Sequence, residues 1–95
     1  MNSTSSVYLI SYDLCQPGQN YESVAKRIQR FPAWFHILQS AWFVQTSANA
    51  NYIYEQVRQC LDQNDLLFVT RVDPIDRMGW LSKDAVAWLT NHTSS

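Results

Sequence analysis

Glycine is nearly missing from this chain: Gly18 and Gly79 are the only two in 95 residues. Phosphate-cradling loops of the P-loop and dinucleotide-binding types need clustered glycines, so both are excluded. Cysteine is as sparse. Cys15 and Cys60 stand far apart with no paired spacing, which argues against a zinc ligand set or a disulfide framework and for ordinary reduced thiols. No apolar run approaches the roughly 18–20 residues that span a bilayer, so no membrane partner is expected. Residues 1–6 lack the basic start and apolar stretch of a secretory signal, and a cytoplasmic location is the expectation. Charge is scarce too, at 16% of the chain against a typical ~25%. Seven Lys plus Arg face eight Asp plus Glu, a net charge of −1, so no global basic field exists to hold nucleic acid. No Ser-His-Asp or Cys-His spacing of a nucleophilic enzyme is recognisable.

What is present is apolar and aromatic. Apolar residues make up 46% of the chain, which excludes a disordered polyelectrolyte and allows a single domain over 1–95 with an ordered core at about 7–90. A surface short of charge in so small a domain points to part of it being hidden in an oligomer. The chain is organised around Val7–Leu14, where Val7 and Leu9 fall on one face of a strand and Tyr8, Ile10 and Tyr12 on the other. Large residues on both faces mark a central strand covered on both sides. A turn at 16–19 follows, with Asn20 as N-cap. Tyr21, Val24, Ala25, Ile28 and Phe31 then repeat at helical spacing, and Pro32 ends that helix.

Residues 33–46 are rich in aromatic and β-branched types. They divide at Gln39-Ser40 into a hairpin, 34–38 and 41–46, although the turn lacks glycine and one long bent strand is the alternative. Asn49 reads as the N-cap of a second helix whose apolar face is Ala50, Ile53, Val57, Cys60 and Leu61. Gln63-Asn64-Asp65 breaks it, Leu66–Val72 forms the last strand, and Ser82 caps a short helix carrying Ala85, Val86, Trp88 and Leu89. The order predicts an α+β domain: a ferredoxin-like βαββαβ unit with a four-stranded antiparallel sheet, two helices on one face and a short C-terminal helix. Two helices leave one sheet face bare, yet the strands carry bulky residues on both sides: Trp34 and Phe35, Trp42 and Phe43, Leu67 and Phe68. A homodimer pressed sheet on sheet is the expected cover, and the C-terminal helix folding back is the competing one.

Asp13 closes the first strand and is the leading candidate for chemistry. Beside its symmetry mate it makes a hard-oxygen site for Mg²⁺ or Mn²⁺, able to activate water for phosphodiester hydrolysis; the plainer role is an Asp that caps its own turn. His36 carries an imidazole suited to a general acid or base, or to a half-buried structural position. Arg71 and Arg77, at and after the end of the last strand, can clamp phosphate, or Arg71 can pair with Asp73. The four tryptophans are base-stacking platforms or, as their spacing favours, core and interface packing.

The segments 8–14 (YLISYDL), 21–31 and 36–43 (HILQSAWF), with 64–69 (NDLLFV) and the Gly79-Trp80-Leu81…Trp88-Leu89 ending, resemble CRISPR-associated protein two and its stand-alone SinR-like relatives, with virulence-associated protein D more distant. The resemblance implies a ferredoxin-like homodimer acting on or holding nucleic acid. In some members that means a metal-dependent nuclease whose strand-end Asp matches Asp13 and whose second-strand Ser matches Ser40. His36 and Leu38 stand where that motif usually carries Arg and Gln. At net charge −1 the basic surface of a DNA-holding subunit is missing, so an integrase-type partner is not expected.

Overall fold

The computed structural model describes residues 5–15 and 21–93. The expected turn at 16–19 and the Asn20 cap lie outside them. The described chain runs β1 (Ser6–Asp13), α1 (Tyr21–Ile28), β2 (Ala33–Leu38), β3 (Ala41–Thr46), α2 (Ala50–Arg58), β4 (Leu66–Arg71) and α3 (Lys83–Thr93). The four strands form one antiparallel sheet in the order β2-β3-β1-β4. This is the ferredoxin-like α+β arrangement that the element order predicts, with β1 inside the sheet.

Local chemistry accounts for most boundaries. In α1, Val24 and Ile28 are buried while Glu22 and Lys26 pair at 3.4 Å on the exposed side. The helix stops at Ile28 rather than Phe31. Pro32 disfavours helical backbone just before it, and the last turn tightens through Arg30 N–H to Arg27 C=O and Phe31 N–H to Ile28 C=O. The hairpin forms without a glycine: Gln39 and Ser40 make the turn, and a register shift between His36 and Leu38 absorbs the misfit. Asn49 caps α2 by accepting the Tyr52 N–H at 2.8 Å, and Ser82 caps α3 by accepting the Ala85 N–H at 3.1 Å.

The main core lies between the sheet and the first two helices. Tyr8, Ile10, Tyr12, Trp42 and Val44 from the sheet meet Val24, Ile28, Ile53 and Val57. The opposite face is covered in part by α3 of the same chain. Trp88 stacks on Phe43 with ring centroids 6.1 Å apart and lies 6.2 Å from Phe35. Gln45 Nε2 donates to the His92 carbonyl at 3.0 Å, so the helix stays ordered to Thr93, past the expected end at 90. The competing cover is thus realised over β1, β3 and β2. It does not reach β4, where Leu66 and Phe68 are 66% and 65% exposed. Among the described residues no helix is long and apolar enough to cross a membrane.

Candidate functional site

Asp13 is the last residue of β1 and stands opposite Leu66 of β4. Strand alternation puts it on the face with Leu9 and Ser11, away from α1 and α2, and it is exposed. An Asp that caps its own turn would accept the N–H two residues on. That donor, Cys15 N–H, is instead held by Asp65 Oδ1 at 2.7 Å, and Asp65 Oδ2 also accepts the Asp62 N–H at 2.8 Å. Asp65 therefore shapes the loop beside Asp13, while the Asp13 carboxylate has no hydrogen-bond or ion-pair partner among the described residues. In the sequence Gln63-Asn64-Asp65 marks only the break after α2; the capping role of Asp65 toward Cys15 and Asp62 emerges from the fold.

Ser40 comes to the same end of the sheet. Its carbonyl accepts the Tyr12 N–H at 3.1 Å, extending the β1–β3 ladder past the Ser11–Ala41 pair. His36 does not join them. It sits on the edge strand β2, opposite Trp42, and so on the helix-side face of the sheet. Its ring stacks on the Trp42 indole at 4.1 Å with 6° between planes. Its Nε2 lies 3.2 Å from the Gln39 carbonyl, a contact that requires the proton on Nε2.

Arg71 pairs with Tyr8, five residues along β1 from Asp13, or roughly 17 Å at strand rise. Arg77 donates to Thr93 Oγ1 at 2.9 Å and ties the connector to the end of α3. Arg71 forms no salt bridge with Asp73 among the described residues. The Asp73 carboxylate accepts the Asp76 and Ile75 N–H groups instead. Those two bonds, helped by the nearby Arg71 and Arg77 charges, hold it below the usual carboxylate range. The two arginines thus lie at the opposite end of the sheet from Asp13 and Ser40.

Of the tryptophans, Trp42 is core, Trp34 lies 5.7 Å from it, and Trp88 covers the far face. Trp80 is 98% exposed in the connector, where it lines an open apolar groove with Leu9, Phe43, Val72, Met78 and Leu89.

A metal has little to bind in one chain: among the described residues no three His, Cys, Asp or Glu side chains converge. One exposed carboxylate does not hold Mg²⁺ or Mn²⁺. Two, with water and substrate oxygens, match the donor set that Mg²⁺ accepts. The donor set therefore fits only as a site shared between two Asp13 residues. The chain matches no protein-family model, no curated protein and no solved structure.

Proposed function

We propose that the chain is a cytoplasmic homodimer, related to CRISPR-associated protein two and its SinR-like relatives, that acts on nucleic acid through paired Asp13 carboxylates. One observation carries the reading. Asp13 is exposed and unpartnered among the described residues at the end of β1, on the sheet face that α1 and α2 leave free, directly opposite the bare Leu66. A two-fold contact is self-complementary, so a patch centred near the axis meets its own copy. Closure of the Leu66–Phe68 patch on itself brings the two aspartates together.

In that arrangement the paired Asp13 carboxylates would hold Mg²⁺ or Mn²⁺, which would supply Lewis-acid activation of water for phosphodiester hydrolysis. Ser40 closes the same sheet end through its backbone. His36 lies on the other face of its own chain and takes no proton from a water at Asp13 of that chain. Arg77, at the far end of the sheet, binds a phosphate away from the cleaved one, whereas Arg71, opposite Tyr8, lies on the helix-side face with His36 and reaches no phosphate on the Asp13 face.

A second reading is a non-catalytic dimeric interaction module. It is favoured by the lack of a three-donor group around Asp13 among the described residues. A cleavage assay separates the two. Single-stranded RNA and duplex DNA are incubated with the wild-type chain and Asp13→Asn, with Mg²⁺, Mn²⁺ or EDTA. The nuclease reading expects metal-dependent cleavage that Asp13→Asn abolishes while the dimer and its melting temperature persist. Absence of cleavage by the dimeric wild-type chain leaves the interaction module.

A further inference from the structure

On the helix side of the sheet, at the end of α1 and the first turns of α2, lies a groove of about 310 Å³ lined by Arg27, Arg30, Phe31, Thr46, Tyr52 and Gln56, among others. None of its lining residues is acidic. The tightened turn from Arg30 N–H to Arg27 C=O at 3.2 Å puts the two arginines at i,i+3, where side chains share a face. Arg27 is fixed in place: its Nη1 donates to the Gln56 carbonyl and to Gln59 Oε1, both at 3.0 Å. Arg30 has no hydrogen-bond or ion-pair partner among the described residues. The one ion pair on this helix among the described residues is Lys26–Glu22, so that acid is already matched.

Next to the arginines stands Tyr52. The residue is 51% exposed, its ring stands nearly perpendicular to that of Phe31 with centroids 6.4 Å apart, and it lines the groove beside the arginines.

The geometry points to a binding site for a nucleoside monophosphate, its phosphate held between Arg27 and Arg30 and its base packed on Tyr52. Two guanidinium groups on one face match a dianion with three accepting oxygens better than a carboxylate, which one Arg fork satisfies. The groove falls at the small end of the volumes that take such ligands. A planar base gains from an aromatic platform whatever its identity. This site does not rest on the nuclease reading, since it lies on the opposite side of the sheet from Asp13.

The test is a titration of the isotope-labelled full chain, followed by amide and arginine side-chain NMR, with AMP, adenosine and inorganic phosphate as separate probes. AMP is expected to saturate with a Kd of about 1 mM or tighter, shifting Arg27–Phe31 and Thr46–Tyr52 together with the Arg30 side chain. Arg30→Gln, which removes no contact that the fold uses, is expected to weaken AMP about tenfold or more. Tyr52→Leu is expected to lower AMP affinity about fivefold or more, toward that of inorganic phosphate. The site is overturned by AMP shifts that fall elsewhere or fail to saturate, by adenosine or phosphate binding as well as AMP, or by Arg30→Gln binding AMP like the wild type.

Discussion

Trp42 donates its indole N–H to the Tyr12 hydroxyl at 2.9 Å, and both side chains are buried between the sheet and the first two helices. The bond links neighbouring strands, β3 and β1, and gives the indole an acceptor inside an otherwise apolar core. Tyr12→Phe keeps the ring and removes the acceptor. The expected cost is about 1–3 kcal/mol, the penalty of a buried donor left unpaired. Urea unfolding reads it as a lower midpoint at unchanged slope.

The same residue sets an alkaline limit. Burial, before any other cause, pushes the Tyr12 phenol above its ordinary 10.0; Tyr21 adds to the rise and the Trp42 bond opposes it. The folded state therefore favours the neutral phenol. That contribution is complete below the unfolded value and is lost as pH climbs through the raised folded value. The wild-type melting temperature is expected to fall above about pH 10 more steeply than that of Tyr12→Phe. Parallel curves for the two proteins would show that Tyr12 does not titrate with unfolding.

What the sequence reveals and what it hides divide along range. The two-faced pattern of Val7–Tyr12, the caps at Asn49 and Ser82, and the helical stripes of Val24–Ile28 and Ile53–Val57 are local signals, and each is found where its spacing puts it. The strand order follows because few topologies join those elements. The cover of the second face is different. The spacing of Ala85, Trp88 and Leu89 announces an apolar helix side, yet nothing in it says whose sheet that side meets; the Trp88 stack on Phe43 and the packing of α3 on β1 and β2 decide for the same chain. Asp65 is the clearest case of a hidden role, since its bond to Cys15 spans 50 residues of sequence. His36 fails as a partner of Asp13 for a reason of register: opposite Trp42, it is turned to the other face.

If α3 is held chiefly by Trp88, its truncation should free the helix and bare Phe35 and Phe43. Trp88→Ala is expected to cost roughly 2–3 kcal/mol, below the ~3–5 of a fully buried aromatic, because Trp88 is only partly buried. Increased dye binding by the folded protein and faster amide exchange through 83–93 would accompany it. Unchanged exchange there would mean that the Gln45–His92 bond and the Arg77–Thr93 bond suffice to hold the helix.

The loop beside Asp13 depends on Asp65, and its two oxygens hold two backbone donors from different segments. Asp65→Ala leaves Cys15 N–H and Asp62 N–H to water, at a cost of about 1–2 kcal/mol overall. Hydrogen exchange should quicken first at Cys15 and Asp62, with the Ile10 and Val44 amides unaffected. Asp65→Asn retains one accepting oxygen, so protection of one donor should survive and the loss should be smaller.

Self-association is the property on which the Asp13 pairing depends, and the exposed apolar residues say where to break it. Leu66 and Phe68 lie on β4 beside Asp13 and Ser11, and Met78 and Trp80, each 98% exposed, lie in the connector. None of these four is buried in its own chain, so substituting them should leave stability within about 0.5 kcal/mol. If two chains pair through β4 as proposed, Phe68→Glu puts a charge against its own mate across the two-fold contact and shifts the protein from dimer to monomer in sedimentation, with an unchanged far-ultraviolet spectrum. Trp80→Ser tests the connector separately. If it alone dissociates the dimer, the contact is centred on the groove between the connector and α3, and the two Asp13 carboxylates stand too far apart to share an ion. A dimer that survives Trp80→Ser and fails with Phe68→Glu has its axis at the β1–β4 end, the geometry that paired aspartates require.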